Sequence, residues 1–347
     1  MILPLISARL ALCIGMQDDP VVLTFGYFGC DRVDVGDWKK DPLSNPSSAN
    51  LPEVEQDLRD LEALDPRPDF VFLCGDIVAN YRADQGQVLR GQLDAFKSEL
   101  DRSGAGKALR IIAFPGNHEL NQKKDDVKSP NLVCDKVWTD WLAASRFAPP
   151  VYNGPTPESS PEDHLADDQS KLNVSFVEKG VKFVLLNTDA RTTLKDQGSD
   201  TTRVAWAPAV WASHEIEAGE RDANVKAVVV MGHRNLIDTD SVKSDSPIAK
   251  DAGATLLASF EQNSKARLYA CSHVHAWDMK PLNSHAWQVV EGRGGSPFEK
   301  GWNPSEGQTF GFTVIKVHQS GKMDMLRYSR PFAQGGPAKC DLEKPLT

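Results

Sequence analysis

The chain has 347 residues, a formal net charge of -9, and 40% apolar and 25% charged residues. That length carries a core without disulfide staples. The acidic balance, with no long basic run, excludes nonspecific nucleic-acid binding, which draws on a positive surface. An anionic small substrate stays open, because a bound cation reverses the local sign.

The opening stretch MILPLISARLALCIGMQDDP (1–20) carries an apolar run with small residues, like the core of a secretory signal. It lacks a basic start, and Arg9 interrupts it. The reading sets 1–20 apart as a signal or disordered start, favours export to the periplasm or the cell exterior over the cytoplasm, and takes 21–347 as a single domain. No other run approaches the roughly 20 apolar residues of a membrane span.

VVLTFGYFG (21–29) is rich in β-formers, and DPLSNPSSAN (41–50) has loop chemistry. Leu51, Val54, Leu58, Leu61 and Leu64 then recur at helical spacing. DFVFLCGD (69–76) is a short continuous apolar run, as in a strand covered on both faces. QVLRGQLDAFKSEL reads as a helix, ALRIIAFPG as a buried strand, and LVCDKVWTDWLAASRF as a helix. The polar, proline-rich segment 149–169 reads as a surface loop. LNVSFVEKGVKFVLLNTD gives two strands around Lys179-Gly180; PAVWASHEIEAGER a helix; KAVVVMGH a strand; AGATLLASFEQ a helix. ARLYACSHVHAWD is a strand running into a loop, and HAWQVVEGRGG and TFGFTVIKV are late strands. Alternating strands and helices indicate an α/β layer architecture, and the late strand pairs favour a mixed sheet or two sheets. Of the six cysteines none forms CxxC. Cys30, Cys74 and Cys271 end apolar runs and read as small buried residues, not as a disulfide framework.

Ligands in open α/β sheets gather beyond the carboxyl ends of the strands. Five apolar runs end in metal-capable residues: Asp31, Asp76, Asn117 with His118, His233, and His273 with His275. These types suit a pair of divalent ions. A carboxylate such as Asp76 has two oxygens and can bridge. Imidazoles accept zinc, iron or manganese, and the Asn117 amide oxygen adds a donor without charge. Two ions about 3.5–4 Å apart clamp an in-line displacement and lower the pKa of bound water. If SHVH (272–275) is extended, His273 and His275 share a face and Val274 points away. His164, His214, His285 and His318 read as surface or satisfied core residues.

GD (75–76), GNHE (116–119), GH (232–233) and SHVH (272–275), in this order from about Val21 to about Val317, resemble the calcineurin-like metallophosphoesterase superfamily, including the purple acid phosphatases. The resemblance implies a layered sandwich of two mixed β-sheets flanked by helices. It implies hydrolysis of a phosphomonoester, phosphodiester or nucleotide by a hydroxide held on two ions of manganese, iron or zinc. It implies that Asp31 and His275 bind a first metal, that Asp76 bridges, and that Asn117, His233 and His273 bind a second. His118 would assist the leaving oxygen, as general acid or as a charge, and Glu119 would orient that shell. Arg32 and Arg234 flank ligands and are candidates to pair phosphate oxygens. The loop 291–307, with Arg293 and Trp302, reads as loop punctuation.

The sequence departs from the superfamily at its first motif, usually Asp-x-His, which here is Asp31-Arg32-Val33. Asp34, Tyr81 or Tyr27 could substitute as ligand, though none matches in register. A weakened first ion, a mononuclear centre, and a catalytically silent phosphate- or metal-binding module on the same fold are the alternatives this leaves. A serine hydrolase is the weaker rival, since no GxSxG occurs.

Overall fold

The structure is a computed structural model that describes residues 19–82, 84–124, 127–195, 205–240, 242, 247–332 and 335–346. The reading of the first twenty residues as a signal or disordered start falls on 1–18, outside the described residues. In chain order the elements are β1 (Val21–Phe28), α1 (Val35–Lys40), α2 (Leu51–Glu62), β2 (Phe70–Cys74), α3 (Gln87–Ser103), β3 (Ile111–Phe114), α4 (Asn117–Leu120), β4 (Asn121–Lys124) and β5 (Val127–Pro130). There follow α5 (Leu132–Ala143), β6 (Val174–Glu178), β7 (Val181–Leu186), α6 (Ala209–Arg221), β8 (Ala227–Gly232), α7 (Lys250–Gln262) and β9 (Ala266–Cys271). The last are β10 (Trp277–Pro281), β11 (Trp287–Glu291), β12 (Thr309–His318), β13 (Met323–Pro331) and β14 (Lys339–Pro345).

Two six-stranded sheets form, ordered β14-β13-β12-β1-β2-β3 and β10-β11-β9-β8-β7-β6. Within the first, β1, β2 and β3 run parallel and β12 pairs antiparallel with β1. Within the second, β7, β8, β9 and β11 run parallel, and β6 and β10 close the two edges antiparallel. Both sheets are mixed, as the late strand pairs indicate.

The sheets pack face to face through one apolar layer. Leu23, Phe25, Tyr27, Phe70, Phe72 and Phe114 of the first sheet meet Phe176, Phe183, Leu185, Val229 and Met231 of the second. Phe183 sits at its centre, with ring centroids 5.3 Å from Phe25, 5.2 Å from Phe72 and 5.2 Å from Phe176. The outer face of the first sheet carries α2, α3 and α5. The outer face of the second carries α6 and α7. Each central strand is therefore covered on both sides, which explains why FVFLC and AVVVMG are continuously apolar rather than alternating.

The segment 149–169 corrects the surface-loop reading. Ser160, Asp163 and Gln169 are buried, and the Asp163 carboxylate accepts the Val210 and Trp211 amides at 2.8 and 2.9 Å. The physical reason lies at α6, whose N-cap is Pro208 and offers no side-chain acceptor. Its free amides need an external carboxylate. The helix α1 follows Asp34, whose side chain caps it through Gly36 and Asp37. Among the described residues no helix is long and apolar enough to cross a membrane.

Candidate metal centre

The carboxyl ends of β2, β3, β8 and β9 bring their polar residues to one place. The cause is local backbone geometry. Gly75 (φ 79°) lets the chain turn sharply after β2, and Asp76 follows at φ 57°. His273 takes φ 55° after β9 and Cys30 φ 60° after β1. Left-handed conformations are uncommon outside glycine and cluster where function holds them.

His233 is the hub. Its Nδ1 donates to the Cys74 carbonyl at 2.7 Å, so Nε2 carries the lone pair of the neutral ring. That nitrogen lies 3.2 Å from Asp76 Oδ1, 3.1 Å from Asn117 Oδ1 and 3.2 Å from His273 Nδ1. Asp76, Asn117 and His233 present lone pairs there, while the Arg234 N–H that faces His273 Nε2 leaves the proton of the neutral His273 ring on Nδ1, directed at His233 Nε2. Burial opposes a charge on His233, yet Asp76 outweighs it and raises the ring above its ordinary value. Burial would also raise Asp76, but the His233 and His118 rings hold its carboxyl well below the usual range. Oxygen and imidazole nitrogen donors in this arrangement fit a divalent ion of the manganese, iron or zinc type.

The surrounding shell is fixed by hydrogen bonds. Glu119 Oε2 accepts the Asp76 and Gly116 amides, both at 2.8 Å, and Oε1 accepts the Val78 amide at 3.1 Å. Burial and Asp76 push its carboxyl up, and these three donors pull it back. His118 Nδ1 donates to the Ala79 carbonyl at 2.8 Å, leaving Nε2 3.8 Å from Asp76 Oδ2. The Asn117 amide donates to Tyr81 Oη, whose ring centroid lies 4.0 Å from that of His118 at a 40° tilt.

The remaining expected site residues fall differently. His275 donates through Nδ1 to the Pro297 carbonyl at 2.7 Å, and burial and then Arg32 push it down to about 4. The left-handed His273 breaks the extended geometry under which the two histidines would share a face. Arg234 is buried, its guanidinium paired with Asp189 at 2.7 Å and facing His273 Nε2 at 3.2 Å. Its charge therefore orients the His273 ring. Arg293, in the loop read as punctuation, is fully buried and pairs with Glu291 at 2.7 Å. Asp31 is fully buried, both its oxygens lack a hydrogen-bond partner, and burial, then Asp57, Glu119 and Asp76, push it well up.

Cys30, the residue before Asp31, also stands at the centre. Its Sγ, an Asp76 oxygen and a His233 nitrogen all lie within 4.8 Å of one another, and all three residues are buried. Sequence reasoning treated Cys30 as filler. The available signal was its place immediately before Asp31, at the end of the same strand as the expected ligand.

The family model described as calcineurin-like phosphoesterase matches residues 35–277. A dimetal phosphatase from Danio rerio is similar in structure, with a TM-score of 0.52 at 13% identity over 94% of this chain and 100% of that one. The structure of PhoD is similar with a TM-score of 0.55 at 12% identity, over 94% of this chain and 69% of that one. No curated protein sequence matches at a significant level.

Proposed function

The chain belongs to the calcineurin-like phosphoesterase family, and on that premise we propose that it hydrolyses a phosphomonoester or phosphodiester at a metal centre held by Asp76, Asn117, His233 and His273. The observation that carries the reading is the convergence of their donor atoms on His233 Nε2 from four strand ends. A bound divalent ion supplies Lewis acidity and a water of lowered pKa.

The chain's own residues set the rest. Ala79 fixes the His118 tautomer and turns Nε2 toward the centre, where it can pass a proton to a departing oxygen. Burial and Arg32 hold His118 well below its ordinary value; an anionic phosphoester alongside opposes both effects and draws the proton on. Glu119 locks the turn that carries Asp76 and Asn117. Arg32, whose Nε lies 3.8 Å from Asp76 Oδ2, can meet the same phosphate.

The test is hydrolysis of an aryl phosphate monoester and an aryl phosphate diester after loading with manganese, iron or zinc. His118→Ala is expected to lower kcat by about 100-fold or more while metal binding persists. Turnover that survives His118→Ala would remove the assigned role. Stoichiometric metal without turnover in the wild type would mark a phosphate- or metal-binding module instead.

A further inference from the structure

The two oxygens of Asp76 face different company. Oδ1 accepts the His118 amide at 3.0 Å and lies 3.2 Å from His233 Nε2, on the side of Asn117 and His273. Oδ2 lies 3.8 Å from Arg32 Nε, and the Arg32 side chain is 12% exposed. That Nε is buried and has no hydrogen-bond partner in the protein. His118 Nε2 lies 3.8 Å from the same Oδ2. The guanidinium and the His118 ring therefore share the Oδ2 side of Asp76, where a second cation bridged by Asp76 would bind.

Asp31, the acid expected to hold such an ion, is buried with both oxygens unpartnered and sits beneath Gly294, where an added Cβ would strike its carboxylate. A guanidinium and a divalent ion on one carboxylate oxygen would repel at short range. A guanidinium with an uncommitted N–H, by contrast, is suited to phosphoryl oxygens, which its planar fork meets in pairs.

We propose that this centre takes a single divalent ion, held by Asp76, Asn117, His233 and His273, and that Arg32 stands in for a second by presenting a fixed positive charge to the phosphoryl group. The proposal rests on the phosphoesterase reading above and specifies its metal count and its anion-binding residue.

The test titrates cobalt(II) or manganese(II) into chelator-stripped full chain, counting bound metal, and then titrates inorganic phosphate into the loaded protein. The wild type, Arg32→Ala and Arg32→Lys are each expected to bind one equivalent of metal. Phosphate affinity is expected to fall about tenfold or more in Arg32→Ala, with Arg32→Lys between the two. Two equivalents in the wild type would overturn the proposal. One equivalent with unchanged phosphate affinity in Arg32→Ala would overturn it too, and would leave the metal centre standing. A wild type that binds no metal would bring down both this proposal and the reading beneath it.

Discussion

Asp31 and Cys30 are one step apart in the chain, and side chains one step apart point in different directions. The sequence offers two ligand-capable residues in succession after Gly29. How the two are aimed depends on the φ of 60° at Cys30, and no local sequence pattern sets that value. His318 shows the opposite case, a histidine whose role is confined to its own surroundings. Its Nδ1 faces the Asp19 carbonyl at 2.7 Å and its Nε2 the Asp324 carboxylate at 2.8 Å. Two acceptors require both nitrogens to carry protons. Partial burial opposes the charge, but these partners outweigh it and raise the pKa. The stability this adds is present in full below the unfolded value and is lost as pH rises through the higher folded value. Urea unfolding of the wild type is therefore expected to lose stability as pH rises above about 6.5 relative to His318→Gln, which should be flatter. Parallel profiles for the two proteins would refute this.

Most of the centre is carried by strand ends, and one turn among them tolerates no side chain. Gly75 holds φ 79°, and a Cβ there would strike the Gly116 backbone. Gly104 ends α3 with a similar φ of 72° but has open space around it. Gly75→Ala is expected to cost more than about 2 kcal/mol in urea unfolding and to weaken cobalt binding, whereas Gly104→Ala should cost about 1 kcal/mol and leave the metal alone. Equal losses would mean that backbone strain alone, not the clash with Gly116, governs the site. At this scale the sequence was legible wherever burial on both faces produced an apolar run: β2, β3 and β8 announce themselves that way, and β7 and β9 do so but for Lys182 and Arg267, each with its polar terminus. The edge strand β14, mostly exposed, and the polar hairpin β4–β5 have no such run and are not visible in the pattern. Asp163 was hidden for a different reason. Its partners are the amides of Val210 and Trp211, more than forty residues away, so only the folded chain reveals why an acid is buried there.

The whole molecule divides the centre between its sheets. Asp76 and Asn117 follow β2 and β3 of one, while His233 and His273 follow β8 and β9 of the other. What holds the two at a fixed separation is the aromatic layer around Phe183. Phe183→Ala is expected to cost about 3–5 kcal/mol by urea unfolding and to lower metal affinity as well. Destabilisation with cobalt affinity unchanged would show that the sheets keep their spacing without it. The layer thus works as a gauge block: the thickness of its rings sets how wide the jaws of the site open. Substitutions among those rings, with the ligands untouched, should retune which ion the jaws grip.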